Sequence, residues 1–275
     1  MPASPKTVRT RATRSGLLAA LLLVLGGAWF GQASPVQAST ATTAGAMEIQ
    51  LLGLINNERV AGGLVSLRKD TRLATWAGNR SDWMAARGLL THTSWDGAPC
   101  TMYARMKITW YGCGEAIGFT SAAFGSAAAT SLFNLWKASP DHQALLMSSR
   151  YNYLGIGVSY RASTHTTYAS ILFLEGPDRS PPVARYLHQG VSGHDVNWSW
   201  TAADPMLQTH YAGFKSYDVE LSVNGGAWRR ARTGSTAIAV TIRNEKAGKY
   251  RLRIRARDRV GNLSAWLTSA TLTVH

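Results

Sequence analysis

The sequence has little of what defines several special classes of protein. Only two of its 275 residues are cysteines, too few for a disulfide-dense domain or a zinc site built of cysteines alone. Charged residues make up 16% of the chain, while 45% is hydrophobic, which excludes a disordered chain, a coiled coil and a collagen. The chain therefore folds mainly by burying apolar side chains.

The N-terminal apolar run, Leu17 to Phe30, is also short. Its 14 residues fall below the roughly 20 that a membrane-spanning helix needs. Basic residues precede the run and small residues follow it, which predicts a secretory signal peptide over residues 1–38. We expect cleavage after Ala38, with Ala33 as the alternative, and the absence of an Arg-Arg pair indicates the general export route. Membrane attachment is expected only through an uncleaved leader.

An exported protein can keep a disulfide, because the compartments outside the cytosol are oxidising. Cys100 and Cys113 enclose a 14-residue loop, and on the chain-entropy model a bond between them would stabilise the fold by roughly 3 kcal/mol. We therefore predict that the two cysteines are paired and that the mature protein is secreted or associated with the cell envelope.

The hydrophobic pattern divides the remaining chain into two parts. After a linker at residues 39–46, apolar residues recur at helical spacing as far as Met147, and strands follow at Leu154–Tyr160 and Thr166–Leu174. Helices followed by a hairpin predict an α+β layered domain over residues 47–178. The turn-rich segment Gly176–Pro182 then marks a boundary.

Residues 179–275 alternate with the period of strands. Asn224-Gly225 and Gly261-Asn262 supply hairpin turns, so this part predicts a small all-β sandwich. The rows expected to face inward are Val196, Trp198 and Trp200; Tyr217, Val219, Leu221 and Val223; and Tyr250, Leu252, Ile254 and Ala256.

Three motifs in the first part occur in a characteristic order. They are LINNERVAGGLVSLRKDTRLATWAGNRSDWMAARGLLTHTSWDG, CGEAIG and LWKASPDHQALLMSSRYNYLGIGV. From Met47 to about Glu175 the chain resembles the CAP (SCP-like) superfamily, most closely its secreted bacterial branch. The resemblance implies an α-β-α sandwich with a cavity lined by two histidines and one or two glutamates. The matching positions are His92 in LTHTS, Glu115 in CGEAIG and His142 in SPDHQ.

The second part resembles a fibronectin type III-like module. The similarity lies in VNWSW and in GKYRLRIRARDRVGNLSAW, where Tyr250 is placed like the family's tyrosine near the start of the penultimate strand. Such modules act as spacers or binding surfaces, and we find no catalytic motif in this one.

Two imidazoles and a carboxylate are ligand types that zinc and related divalent metals accept. We therefore take His92, His142 and Glu115 as candidate metal ligands, with Glu115 alternatively the general base of a metal-dependent hydrolase. Because His142 lies on the first turn of a helix, its neutral ring should be favoured. The other interpretation is that these polar groups hydrogen-bond one another and hold loops in place. We expect no cofactor other than a metal.

The sequence gives weaker evidence for a catalytic or binding role of other residues near these motifs. Ser94 is a candidate nucleophile, but no G-x-S-x-G motif surrounds it, so a turn hydroxyl is the simpler interpretation. Trp95 and Trp110 are candidates for ligand contact near His92 and Glu115, whereas core packing explains the helical pair Trp76 and Trp83 more simply.

The positive charge is concentrated in the second part. Residues 180–275 hold 13 basic and 6 acidic residues. Arg251, Arg253, Arg255 and Arg257 alternate with an inward row and form a candidate anion-binding stripe. The expected partners are an anionic envelope polymer, a lipid or an extracellular protein rather than nucleic acid, while a simply solvated strand face remains the alternative.

Together these features predict a secreted protein with a binding or interaction role. Its His/Glu cleft could bind a divalent metal, and its basic β module would hold it near anionic surfaces. The alternative function is a protease-like, metal-dependent hydrolase in which His92 and His142 are ligands and Glu115 is the base.

Overall fold

The computed structural model describes residues 35–93 and 97–275. Most of the expected signal peptide, and the positions of Ser94 and Trp95, lie outside the described residues. Within the described ranges, no helix is both long and apolar enough to cross a membrane.

The first unit combines helices with a small mixed sheet. Its helices are α1 (Pro35–Ala61), α2 (Thr71–Arg87), α3 (Pro99–Arg105), α4 (Ser126–Ala138) and α5 (Pro140–Leu146). Its strands are β1 (Arg68–Lys69), β2 (Gly112–Thr120), β3 (Tyr153–Arg161) and β4 (Thr166–Glu175). They are ordered β1-β3-β4-β2, with β1 parallel to β3 and the other pairs antiparallel. Helix α1 runs through residues 39–46, for which the sequence pattern predicts a linker.

The sheet lies between two layers of helices. Successive residues of a strand face opposite sides, so Ile171 of β4 packs with α1 and α4, while Leu172 packs with α2 and α3. Asp70 caps the N-terminus of α2 by accepting from two backbone N–H groups, and Gly88 ends the helix in the left-handed conformation. The first unit is thus an α-β-α sandwich, as predicted.

One element of this unit differs from the sequence prediction. The hydrophobic pattern predicts helical structure as far as Met147, yet residues 112–120 form β2 and pair with β4 along their whole length. This segment contains three glycines and small residues that give little periodicity of either kind, so its pairing is fixed by the neighbouring strand. The consequence is that Glu115 lies on an edge strand of the sheet.

The second unit consists of antiparallel strands in two sheets. The strands are β5 (Val183–Ser192), β6 (Asp195–Ala203), β7 (Phe214–Val223), β8 (Arg229–Ser235), β9 (Ala239–Ile242), β10 (Gly248–Asp258), β11 (Leu267–Thr268) and β12 (Leu272–Val274). One sheet has the order β5-β6-β9, and the other has the order β11-β10-β7-β8 with β12 also paired to β10.

The two sheets share one hydrophobic core. The predicted inward rows of β6 and β10 are buried, and so are Tyr217 and Val219 of β7. Leu221 is only partly buried, and Val223 is exposed, because β7 ends there in the turn to β8. Asn224 and Gly225 both adopt positive φ in that turn, as the Asn-Gly pair predicts.

Candidate functional site

The candidate site centres on a contact between His92 and Glu115. Nδ1 of His92 lies 2.8 Å from Oε2 of Glu115, and Oγ of Ser170 donates to Oε1 across 3.2 Å. The Glu115 side chain is 1% exposed, whereas that of His92 is 56% exposed. A buried carboxylate therefore holds an imidazole ring at the surface.

The buried partner of Glu115 is Arg80, a residue that the sequence motifs did not single out. Nε of Arg80 lies 2.7 Å from Oε1 of Glu115, and both side chains are buried. The guanidinium also contacts the backbone oxygens of His92 and Gly97. It therefore fixes both the carboxylate and the segment that carries the histidine. A signal was present in the sequence, because Arg80 follows Ala77 by three residues and precedes Met84 by four on the buried face of α2.

These contacts set the pKa of Glu115 and the tautomer of His92. Burial raises the pKa of Glu115, and the Arg80 charge and the His92 and Ser170 hydrogen bonds lower it in part, leaving it above its ordinary value. A Glu115 paired with Arg80 can only accept at Oε2, so we assign the Nδ1 proton to His92. Nε2 is then the basic nitrogen of that ring.

His142 approaches the same region from another element. Ser139 is the N-cap residue of α5, but its Oγ contacts Nδ1 of His142 at 2.9 Å and makes no capping bond. Burial is the main cause of the lowered pKa of His142, and the charge of His92 lowers it further, while Asp141 opposes the shift. The two imidazoles are thus close enough to influence each other electrostatically.

The three predicted ligand residues do not form a ready three-ligand cluster. In the described part of the chain, the ligand atoms of His92, Glu115 and His142 do not all lie within 4.8 Å of one another. Only a group of three aspartates elsewhere in the described residues meets that distance. Both carboxylate oxygens of Glu115 already have protein partners. Metal binding at this cleft therefore stays a prediction, with the two imidazoles as its available donors.

The other predicted residues have clear positions where they are described. Cys100 and Cys113 form the predicted disulfide, with a Cα–Cα distance of 5.7 Å, and it ties the start of α3 to β2 two residues before Glu115. Trp110 lies at the surface in edge contact with Tyr103, at a ring distance of 6.4 Å. Trp76 and Trp83 pack partly buried against core clusters.

The arginine stripe lies on one face of β10, but its charges are largely paired. Arg253 contacts Glu220 at 2.5 Å, and Asp218 lies 2.9 Å from Arg255 and 3.6 Å from Arg257. Arg253 also lies over the rings of two tryptophans. Of the four arginines, only Arg251 has no ion pair with a carboxylate in the described part of the chain. These contacts favour a structural role for the stripe.

Comparison with known proteins identifies the first unit. The model of the CAP family, the cysteine-rich secretory protein family, matches residues 52–173. These residues include the whole Arg80–Glu115–His92 arrangement and His142. Residues 52–173 therefore form a CAP domain.

Solved structures give similar but more distant matches. An extracellular SCP-domain protein from Bacillus anthracis is 21% identical, with a TM-score of 0.45, covering 53% of this chain and 45% of its own. An outer surface protein from Borrelia burgdorferi is 19% identical, with a TM-score of 0.43. The match covers 49% of this chain and 95% of the Borrelia chain.

A cysteine-rich secretory protein from Staphylococcus aureus is 24% identical, with a TM-score of 0.37. The match covers 47% of this chain and 38% of the Staphylococcus chain. This chain thus spans less than half of the length of the Bacillus and Staphylococcus structures. No curated protein matches the chain.

Proposed function

We propose that this protein is an extracellular binding protein that recognises its ligand at the CAP-domain cleft. The observation that carries the proposal is the buried Arg80–Glu115–His92 chain, which presents one exposed imidazole in a fixed orientation. A buried ion pair that only stabilised the fold would not need a half-exposed histidine as its third member. The extracellular location rests on the leader features of residues 1–38.

A divalent metal, zinc or a related ion, fits the donor chemistry of this cleft. His92 and His142 would hold the ion, and Glu115 would orient His92 through Nδ1, as carboxylates do behind metal-bound histidines. The lowered pKa of His142 supports this assignment, because only a neutral imidazole can be a ligand. The bound metal would supply open positions for an oxygen or nitrogen group of the ligand.

Zinc titration of the purified protein tests this proposal. We expect calorimetry to detect zinc binding to the wild type and to detect none with His92→Ala or His142→Ala. His188→Ala changes an exposed histidine of the β module and should leave the isotherm unchanged. Identical isotherms for all four proteins would show that His92 and His142 do not bind zinc.

The hydrolase alternative has less support from the geometry. A general base must reach a water or a substrate proton, and the Glu115 carboxylate is buried with both oxygens engaged. Glu115 is therefore better suited to positioning His92 than to accepting a proton itself. If hydrolytic activity is found, its survival in Glu115→Gln would exclude that residue as the base.

For the second unit we propose a fibronectin type III-like module that holds the CAP domain near anionic envelope material. The sheet orders support the first part of this proposal, as does Tyr250, whose hydroxyl donates back to the Lys246 carbonyl across 2.7 Å. The excess of basic residues in this module supports the proposed contact with anionic material, since β8 exposes Arg229, Arg230 and Arg232 beside the paired arginine stripe.

Binding to vesicles with and without anionic phospholipid tests this electrostatic role. We expect binding to the anionic vesicles that weakens with added salt and with combined substitution of the three β8 arginines by alanine. Arg251→Ala should have a smaller effect because it removes one charge. Binding that is independent of salt would contradict the electrostatic role.

A further inference from the structure

A group of three buried aspartates lies where the two units meet. Asp178 lies in the segment between β4 and β5, Asp204 directly follows β6, and Asp258 ends β10. The three residues are 5%, 6% and 0% exposed, and one carboxylate oxygen from each lies within 4.8 Å of the others. Strands from both sheets and the connecting segment thus bring three acidic groups to one buried point.

No basic side chain in the described part of the chain forms an ion pair with these carboxylates. Among the described residues, no arginine, lysine or histidine nitrogen lies within 4.0 Å of any of the three carboxylates, although Arg68 is near enough to lower the pKa of Asp204 slightly. Burying three carboxylates together without a counter-charge is costly, because each is desolvated and each repels the others.

Two of the aspartates are held in place by hydrogen bonds. Asp178 accepts from the N–H groups of Ser180 and Ala212, at 2.9 and 3.0 Å. Asp258 accepts from the N–H groups of Gly261 and Asn262, both at 2.7 Å, and from the Asn262 amide. A carboxylate oxygen has two lone pairs, so these bonds orient both side chains and leave them able to bind a further group.

Asp204 is the exception. Both of its carboxylate oxygens are fully buried, and no donor in the described residues meets hydrogen-bond geometry with either of them. The backbone N–H of Gly213 is a weak donor outside this geometry and lowers the pKa of Asp204, but burial, the largest cause, and the charges of Asp178 and Asp258 raise it overall. A buried carboxylate without a well-formed donor, beside two carboxylates that hydrogen bonds hold in place, is an arrangement that a bound cation would stabilise.

We propose that Asp178, Asp204 and Asp258 bind a calcium ion at the junction of the two units. The donor set is all oxygen, which hard cations prefer and zinc does not require. Calcium binds oxygens at about 2.3–2.6 Å, so ligands on opposite sides of one ion are at most about 5 Å apart, in agreement with the spacing here. Backbone carbonyls and waters would complete its coordination.

The bound ion would stabilise the contact between the two units. The loop at residues 204–213 begins at Asp204 and packs on the CAP domain, where the Asn152 side chain bonds both the N–H and the carbonyl of Thr209, at 2.8 and 2.7 Å. Asp178 holds the same loop through Ala212. Binding calcium at Asp204 would therefore fix the loop, the connecting segment and the end of β10 together.

Calorimetry on the full mature chain, freed of metal with EDTA, tests the site. We expect calcium chloride to bind with a stoichiometry of one and magnesium chloride to bind more weakly. Asp204→Asn should lose the binding, because it removes one charged ligand while keeping the shape. Asp82→Asn, at an exposed position of α2, and His92→Ala should keep it, which separates this site from the histidine cleft.

Thermal unfolding of the wild type gives a measurement that needs no variant. Calcium that binds only the folded chain should raise Tm by several degrees above the EDTA-treated protein, and magnesium at equal ionic strength should raise it less. A Tm that does not respond to calcium, with no binding heat, would overturn the proposal and indicate a protonated Asp204. A full calcium response retained in Asp204→Asn would also overturn it.

Discussion

Glu115 illustrates how a single buried charge can serve both stability and a surface site. One oxygen of its carboxylate neutralises the buried charge of Arg80, and its other oxygen holds the ring of His92. Removing one partner of such a pair leaves the other charge buried and uncompensated, which costs far more than losing a surface ion pair.

Glu115→Gln should therefore lower the free energy of unfolding by about 3–5 kcal/mol, the cost typical of a broken buried pair. Urea denaturation of the variant and the wild type measures the difference. Glu58→Gln, which breaks the half-exposed pair with Lys137 at 2.8 Å, is the matched control and should cost less than about 1 kcal/mol. Equal losses in the two variants would contradict the role given to Arg80.

His142 predicts a pH effect with a definite sign. Its pKa is lower in the folded protein than the ordinary 6.5, so below that value the unfolded chain binds a proton that the folded chain does not. This residue therefore destabilises the fold progressively as pH falls from about 6.5 to its folded pKa.

Histidine NMR titration should also show the pKa of His142 rising toward 6.5 in His92→Ala, since one cause of the shift is removed. An unchanged pKa would mean that the rings do not interact.

At the level of elements, helix α2 lies unusually close to the sheet. A Cβ atom at Gly155 would fall 2.1 Å from the backbone carbon of Leu73, and one at Gly157 would fall 2.1 Å from the nitrogen of Gly78. This proximity lets Ser81 donate to the Gly157 carbonyl across 2.8 Å and places Arg80 against the face of the sheet that carries Glu115.

Gly157→Ala should for this reason destabilise the protein by about 3 kcal/mol or more, because the helix must move to admit a methyl group. Gly78→Ala is the matched control in the same contact, since its own Cβ would meet open space and alanine favours a helix by about 0.5–1 kcal/mol. Thermal unfolding measures both variants, and a well-tolerated Gly157→Ala would show that α2 is not held this closely.

The sequence allowed some elements of this fold to be predicted better than others. Helix α2, the hairpin of β3 and β4 and the buried row of β10 follow from strong periodicity, which reflects one buried face. Strand β2 was missed because its small residues carry no period of their own. Arg80 and the junction aspartates were missed because their partners are far away in sequence, and only the tertiary fold brings them together.

At the scale of the whole molecule, the β module contributes to the core of the CAP domain. Leu207, from the loop after β6, is buried in the same cluster as Leu73 and Tyr153. Beside it, Gln208 accepts from the N–H of Val65 at 2.7 Å, and His210 contacts Glu175 at 3.1 Å. The segment between β4 and β5 is therefore not the sole connection between the units, and their unfolding should be coupled.

Leu207→Ala should weaken that coupling by removing the apolar side chain that crosses the junction. We expect a loss of about 2–4 kcal/mol, and an unfolding transition that is single in the wild type should broaden or split as the β module separates from the CAP domain. Calorimetric unfolding checks this, with Leu187→Ala, an exposed leucine of β5, as the control that should change little. If the wild type itself unfolds in two independent steps, the loop contact does not couple the units, and a calcium ion at the aspartates would act on the β module alone.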